Sequence, residues 1–191
     1  EHGFDIGLSG AVLPTIKPLV KGINERAVIA GCCLMTPSTT FFRAGMFRGE
    51  LFWGYDDADY CWRVHALGYK CAVTTETYVI HYGSATWGKE NPLKLYLSLR
   101  NELACLIRNS NTFLIPMHVM IRLITILGLI IARIKNKDLE KVYYILKALK
   151  DAKYIVRKIQ PSNRGTPNLT ILVDASYLPL INKFIKPLKR S

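Results

Sequence analysis

The pattern of hydrophobic and polar positions divides the chain into a first part of short alternating elements and a second part of long helices. Residues 26–36 are almost continuously apolar, rich in β-branched side chains around a central glycine, and predict a buried strand. Residues 41–47 predict a short helix or turn that ends at a glycine. Residues 69–74 and 77–81 predict two further strands. This alternation predicts an α/β domain over residues 1–90.

A short helix is predicted over residues 57–67, between the first and second of these strands. Either Asp56 or Asp57 suits the N-cap position, because a short carboxylate can accept a hydrogen bond from a free N–H of the first turn. Gly68 suits the residue just beyond the helix. The apolar positions that recur at helical spacing are Tyr60, Val64 and Leu67.

Long helices are predicted after residue 90. Asn91 followed by Pro92 is typical of a helix start, and leucines recur behind it at helical spacing. Residues 113–134 are strongly apolar, but Pro116, His118, Arg122 and Arg133 interrupt them and leave about ten uncharged residues between the two arginines. A membrane-spanning helix needs about twenty. A helix that lies in the membrane interface, or that packs on the domain, therefore fits better.

The next helix is predicted to be basic and amphipathic. Such a helix can attach reversibly to an anionic membrane, and the alternative is an ordinary helix with a solvated charged face. Beyond Pro161 the sequence predicts a linker and a further strand over residues 168–177, to which we assign no role. The apolar face is Val142, Ile145, Leu146, Leu149, Ala152 and Val156, and the basic flank is Lys147, Lys150, Lys153 and Arg157.

Charge separates the same two parts. Residues 1–90 hold 8 Lys and Arg against 9 Asp and Glu, whereas residues 91–191 hold 18 against 5. A basic part of this kind indicates an anionic surface. Phospholipid fits better than nucleic acid, because the basic residues lie among long aliphatic stretches and not among aromatic stacking platforms.

Length and cysteine content limit the number of domains and the cellular compartment that we expect. The 191 residues suffice for one domain with attachments, and the first residues resemble the middle of a domain, so we expect the C-terminal part of a longer protein. Five cysteines form an odd number with no metal-ligand spacing, which favours reduced thiols in a cytosolic compartment. We expect residues 161–191 to be a linker and tail.

Three carboxylates crowd the predicted helix start, directly after Trp53 and Gly54. The helix dipole and Arg63 favour ionised carboxylates, while mutual repulsion opposes ionisation. An ionised acid beside a Trp suits a general base for a sugar hydroxyl. The alternative is that Asp56 only caps the helix and Asp59 only pairs with Arg63. The three acids are Asp56, Asp57 and Asp59.

Several blocks of residues in order resemble the C-terminal half of family 2 glycosyltransferases with the GT-A fold, particularly bacterial rhamnosyltransferase-like enzymes that build surface polysaccharide. The resemblance implies a Rossmann-like α/β fold over residues 1–90 and, at 91–160, a helical, basic, membrane-associating region. It also implies that the N-terminal nucleotide-binding half is missing. The blocks are GCCLM at 31–35, AGMF at 44–47, WGYDDADY at 53–60, Arg63, LGYK at 67–70, IHYGSAT at 80–86 and LRN at 99–101.

The resemblance assigns roles to the acidic block. It implies that Asp57 is the catalytic base, that Asp56 stands where the family usually has Glu, and that Asp59 and Arg63 support the helix start. Asp57 and Asp59 also spell the family's D-x-D metal motif, but that motif normally lies about a hundred residues earlier, after a hydrophobic strand. We therefore expect no metal site at this pair.

Other blocks are expected to contact the donor and acceptor sugars or the metal ion. The resemblance implies that Gly31 and Cys32 face the donor sugar and that Trp53 and Gly54 lie where acceptor sugars stack, with Asp56, Asp59 and Arg63 contributing to this binding region. Packing in the core is the alternative for Cys32. His81 matches a histidine that completes the metal site in some of these enzymes, although a histidine at a strand end is more often structural.

The resulting expectation is an inverting sugar transfer from a nucleotide-sugar donor to a saccharide or lipid-linked acceptor, in cell-surface polysaccharide synthesis. A divalent metal, Mg²⁺ or Mn²⁺, is implied as cofactor, with most of its ligands in the missing half. The expected location is cytoplasmic and peripheral, on the inner face of the cell membrane. The alternative is a non-catalytic basic adaptor that binds anionic membrane lipid through residues 91–191.

Overall fold

A computed structural model describes residues 3–7, 9–15, 18–82, 88 and 91–161. Over these residues the chain is mixed α/β, with two small antiparallel sheets in the first part and long helices in the second. The α/β class predicted from the sequence is confirmed at this coarse level. The strand predicted over 168–177 lies outside the described residues.

Each sheet is a pair of short strands. β1 (Phe4–Ile6) pairs with β2 (Val12–Pro14), and β3 (Ile23–Arg26) pairs with β4 (Cys71–Thr74). β4 confirms the strand predicted at 69–74. Residues 77–81, which the structure describes, form no strand, so that prediction was wrong.

The strand predicted at residues 26–36 was also wrong, since β3 ends where this run begins. Val28 still pairs with Phe4 through two backbone hydrogen bonds, but beyond it the chain turns away from both sheets. Gly31–Cys33 forms a short 3₁₀ turn whose three residues are exposed. The N–H of Gly31 donates to the side chain of Asp57, so it is not available to a strand ladder.

Two helices follow in the first part. α1 (Ser38–Arg43) is the short helix predicted before Gly45, and α2 (Asp56–Ala66) confirms the predicted acidic helix. Gly68 lies just beyond α2 with φ +84°, a left-handed conformation that glycine adopts without steric cost. The predicted aspartate N-cap was wrong. The N-cap residue is Tyr55, and its side chain makes no capping hydrogen bond in the described part of the chain.

The core of the first part forms around the inner face of α2. It includes residues of β1, of the segment after β3, of α2 and of the next helix, so α2 is held from several sides. The most buried apolar members are Ile6, Val28, Ala58, Tyr60, Cys61, Val64 and Leu106.

Three helices make up the second part. α3 (Pro92–Asn109) begins as predicted, because the side chain of Asn91 accepts the N–H of Leu93 at 2.9 Å. α4 (Ile115–Lys135) and α5 (Leu139–Lys158) form a hairpin that packs on α3. α5 is amphipathic as predicted, except that Leu146 is exposed. Its buried residues are Ile145, Ala148, Ala152 and Ile155.

α4 differs from its prediction. Its 21 residues form one uninterrupted helix, because Pro116 lies in the first turn, where a missing N–H costs no hydrogen bond. By length and composition α4 could cross a membrane, with a mean hydropathy of 2.1. Only 11% of its most apolar window is buried within the described structure. The buried residues of α4 are His118 and Ile126.

Candidate functional site

The loop that leads into α2 has an unusual backbone. Phe52, Gly54 and Tyr55 all have positive φ, at 62°, 76° and 70°. Glycine tolerates such values, but in a bulky residue such as Phe52 they are strained. Strain of this kind persists only where the surrounding structure holds the chain in place, so the contacts that hold this loop matter.

Asn101 of α3 holds the loop. Its side-chain amide nitrogen donates to the carbonyl oxygens of Leu51, Trp53 and Gly54 at 2.8, 2.9 and 2.8 Å. Its own oxygen accepts from Nε of Arg100 at 2.9 Å, and the residue is fully buried. A single interior amide thus fixes the strained loop that presents the start of α2.

Asp57 lies on the outer side of the first turn of α2 and is half-buried. Its Oδ2 accepts the N–H of Gly31 at 2.9 Å, and its Oδ1 accepts the N–H of Ala58 at 2.8 Å. A β-carbon added at Gly31 would sit 3.3 Å from the Asp57 β-carbon, so the two segments are in close contact. The carboxylate is therefore oriented by two backbone donors and lies beside the exposed turn at Gly31–Cys33.

Opposing effects act on the pKa of Asp57. Burial raises it above the ordinary value of 3.8 and is the largest effect. The N–H groups of Gly31 and Ala58 lower it, and the charge of Asp56 raises it. The net direction is upward, which is the direction that makes a carboxylate a stronger proton acceptor.

Asp59 lies on the inner side of the same turn and is fully buried. Its carboxylate accepts from Arg48 at 2.8 Å, from Nε and NH2 of Arg63 at 2.9 and 2.7 Å, and from Asn109 at 2.8 Å. Arg63 also donates to the carbonyl oxygens of Ala44 and Met46. The pairing expected between Asp59 and Arg63 is confirmed.

Burial of Asp59 and Arg63 changes their expected role. Asp59 is fully inaccessible, and the guanidinium of Arg63, which is 5% exposed, donates to Asp59, Ala44 and Met46, so we expect neither to contact a sugar beside Asp57. We assign both residues the supporting role, since together they tie α2 to the segment after α1. Asp56, by contrast, is half-buried beside Asp57.

Of the other predicted substrate residues, Gly31 and Cys32 lie beside Asp57, whereas Trp53 and Gly54 lie against α3. Gly31 and Cys32 are exposed, which contradicts the alternative that Cys32 packs in the core. The ring of Trp53 is half-buried, with the ammonium of Lys94 5.7 Å from its centroid. Phe52 is 74% exposed beside it. The loop therefore presents aromatic surface and a cation close to the start of α2.

The implied metal site is not formed by the described residues. Among them, no group of three or more His, Cys, Asp and Glu side chains could hold an ion. His81 is exposed and follows no strand, so it supplies at most one ligand. The described residues do not by themselves form a Mg²⁺ or Mn²⁺ centre, and the expected metal cofactor stays a prediction.

A cavity of about 430 Å³ lies on the inner side of α2. It is bounded by the end of α1, the segment after it and the end of α5, and Asp57 does not line it. Its arginines are engaged: Arg48 and Arg63 bind Asp59, and Arg43 donates to Tyr69 at 2.8 Å. The polar residues that line it are Arg43, Arg48, Glu50, Arg63 and Gln160.

Sequence reasoning missed a thiol cluster behind the site. All five cysteines are free, as expected. A hydrogen bond from Cys61 is the largest effect on the pKa of the Cys71 thiol and lowers it, burial opposes this, and His65 lowers it further. The residues come from α2 and β4, which no spacing rule in the sequence connects.

No protein-family model, curated protein or solved structure matches this chain. The resemblance to glycosyltransferases therefore depends on the residue blocks alone. The geometry around Asp57 is the structural observation against which that resemblance can be weighed.

Proposed function

We propose that this chain is the acceptor-side part of an inverting glycosyltransferase with a GT-A fold, and that Asp57 is its catalytic base. The observation that carries the proposal is the state of Asp57: a half-buried carboxylate of raised pKa, held by two backbone N–H groups beside an exposed turn. The mixed α/β fold of residues 3–82 is compatible with it.

The chemistry follows from the oxygens of Asp57. Each carboxylate oxygen accepts one backbone hydrogen bond and retains a lone pair. An acceptor hydroxyl bound there transfers its proton to Asp57 as its oxygen bonds to the anomeric carbon. The bond from that carbon to the nucleoside diphosphate breaks in line, and its electron pair leaves with the diphosphate. Attack from the face opposite the leaving group inverts the anomeric configuration.

The loop before α2 is the proposed acceptor platform. Aromatic rings stack on the apolar faces of sugars, and Phe52 and Trp53 present such surface in the loop that leads into α2, five and four residues before Asp57. Alignment of the acceptor hydroxyl with the donor supplies much of the acceleration in a transfer between two bound substrates. Asn101 contributes indirectly, because it fixes the loop that carries both rings.

The proposed partners are a nucleotide-sugar donor, a saccharide or lipid-linked acceptor and an anionic membrane on the cytoplasmic side. In this proposal a nucleotide-binding half elsewhere in a longer protein holds the donor and the divalent metal. The described residues supply the base and the acceptor surface.

The experiment is a transfer assay on the longer protein that joins this chain to its upstream coding sequence. A panel of nucleotide sugars is offered with lipid-linked and free saccharide acceptors, and the anomeric configuration of the product is read by NMR. We expect transfer with inversion. Transfer with retention would contradict the proposal. So would the absence of both hydrolysis and transfer with every nucleotide sugar offered.

A second candidate is a non-catalytic adaptor that binds anionic lipid. The specific observation that favours it is the exposed apolar surface of α4, which the sugar-transfer chemistry does not use. The two candidates separate in the same assay, because an adaptor binds vesicles but turns over no nucleotide sugar.

A further inference from the structure

The outward side of α4 is apolar along its whole length. We define the outer face of α4 by its exposed large apolar side chains. Among the residues that the structure describes in α4, the one exposed charged side chain is Lys135, the last residue. At 1.5 Å per residue the helix is about 31 Å long, so this is an extended surface without charge. The outer face comprises Met117, Met120, Leu123, Ile124, Leu127, Ile131 and Ile134.

α5 cannot supply this surface, although the sequence favoured it. Its apolar face is buried against α3 and α4, with Ile145 and Ala148 fully inaccessible. The side chains that α5 leaves exposed are mixed, with the basic Lys150, Lys153, Arg157 and Lys158 among the apolar or aromatic Leu139, Tyr143, Leu146 and Tyr154. The extended uncharged surface therefore lies on α4, and α5 contributes exposed lysines and an arginine.

The inner side of α4 is tied to the rest of the protein. Arg122 forms an ion pair with Glu102 of α3 at 2.5 Å, and both side chains are largely buried. Ile126 packs in the cluster formed by α3 and α5. These contacts keep α4 alongside two helices that bear exposed charges, so α4 cannot enter a bilayer end-on without dragging those charges into hydrocarbon.

Basic residues lie at the C-terminal end of the outer face. Lys135 ends α4 and Lys137 lies in the turn, both exposed, while Arg133 pairs with Asp138 at 3.5 Å. One polar side chain on the exposed side, Thr125, already bonds the carbonyl of Arg122 at 2.8 Å. An uncharged face whose polar group is satisfied within the helix, with cations at its C-terminal end, matches an anionic lipid leaflet better than a polar protein surface.

We propose that the outer face of α4 lies in the plane of an anionic bilayer leaflet, immersed to the level of the upper acyl chains, with Lys135, Lys137 and the exposed lysines of α5 at the headgroups. This inference deepens the proposed partnership with an anionic membrane, and it is independent of the sugar-transfer chemistry because it uses none of the residues around Asp57.

The first test is flotation of the full 191-residue chain with phosphatidylcholine vesicles, with and without phosphatidylglycerol. We expect binding that requires phosphatidylglycerol and weakens as salt rises. The variant Ile124→Asp/Leu127→Asp places charges at positions 63% and 57% exposed, where folding tolerates them. It should bind at least about tenfold more weakly.

The matched control is Ile23→Asp, the same chemical change at a 77% exposed residue of β3. It should bind vesicles as the unchanged chain does. Equal binding by the double variant and the control would overturn the proposal. So would a chain that binds no vesicles but dimerises in solution through α4, as shown by light scattering and loss of the dimer in the double variant.

A second measurement distinguishes a helix in the membrane plane from one that crosses it. Trp is placed singly at Met117, Ile124 and Ile134, and its added fluorescence is quenched by lipids brominated at different depths. A helix in the plane gives the same shallow depth at all three positions. A deep signal at Ile124 with shallow signals at the other two would show a crossing helix and overturn the proposal.

Discussion

The two sides of the first turn of α2 place chemically identical carboxylates in opposite settings. On the inner side Asp59 is fully buried and receives four hydrogen bonds from Arg48, Arg63 and Asn109. On the outer side Asp57 is half-buried and receives two bonds from backbone N–H groups. The inner carboxylate is saturated by charged partners and holds the fold, whereas the outer one retains capacity to accept a proton.

The largest expected effect is on the inner side. Asp59→Ala leaves Arg48 and Arg63 buried without their carboxylate, and breaking a buried ion pair in this way costs about 3–5 kcal/mol. Urea denaturation followed by circular dichroism measures the free energy of unfolding. Asp56→Ala, in the same turn but half-buried, is the control and should cost less than about 1 kcal/mol. Equal losses for the two variants would erase the distinction between the sides.

Glu102 extends the comparison to a buried carboxylate with one charged partner. Burial is the largest effect on its pKa and Arg122 opposes it, giving about 7 in place of the ordinary 4.5. Between these values the folded chain binds a proton that the unfolded chain has released. The free energy of unfolding therefore falls as pH rises from 4.5 to 7, by about 3 kcal/mol in total.

The measurement is the free energy of unfolding across that pH range for the unchanged chain and for Glu102→Gln, which cannot titrate. The difference between the two should decline with rising pH and level off above about pH 7. His65 and Cys71 titrate in both proteins and cancel from the difference. A difference that stays constant with pH would show that Glu102 is ionised throughout.

A variant of Asn101 tests whether this amide holds the loop that leads into α2. Asn101→Ala leaves three loop carbonyl groups without their shared donor, at about 1–3 kcal/mol for a buried unsatisfied group. The loop should also loosen, so acrylamide should quench Trp fluorescence more strongly, while Asn136→Ala at an exposed position changes neither quantity. Unchanged quenching in Asn101→Ala would show that the loop holds its strained backbone without this amide.

The smallest effect on stability is expected on the outer side. Asp57→Asn keeps an oxygen that can accept from Gly31, and it removes a charge that burial disfavours. We expect the free energy of unfolding to change by less than about 1 kcal/mol, within the usual range for a partly exposed site. A loss as large as that of Asp59→Ala would make Asp57 a structural residue.

The helices could be predicted well from the sequence and the strands poorly, for physical reasons. α2 and α3 could be predicted because their signals are local in the sequence: apolar residues at helical spacing, Gly68 and the Asn91 cap. The apolar run at 26–36 forms no strand because Gly31 bonds a side chain 26 residues away, and a hydrophobic pattern does not record such a contact. From the sequence alone, Pro116 is expected to interrupt a helix. In the structure it lies in the first turn of α4, where its missing N–H costs no hydrogen bond.

For the site, the acidic block could be found from the sequence, but which of its carboxylates is buried and which is accessible could not. Asp57 and Asp59 are two positions apart, and only the packing of α2 decides which faces inward. The part played by Asn101 was also hidden, since one amide in a leucine-rich helix gives no sign that it bonds a loop about fifty residues earlier.

The role of Asp57 is decided by the transfer rate of the proposed longer protein carrying Asp57→Asn, compared with Glu50→Gln, which changes an exposed carboxyl in the segment before α2. We predict that Asp57→Asn lowers kcat by roughly 10² to 10⁴ at nearly unchanged stability, that Glu50→Gln transfers normally, and that the acid limb of the unchanged protein lies above pH 3.8. Transfer by Asp57→Asn at the rate of the unchanged protein would contradict this prediction.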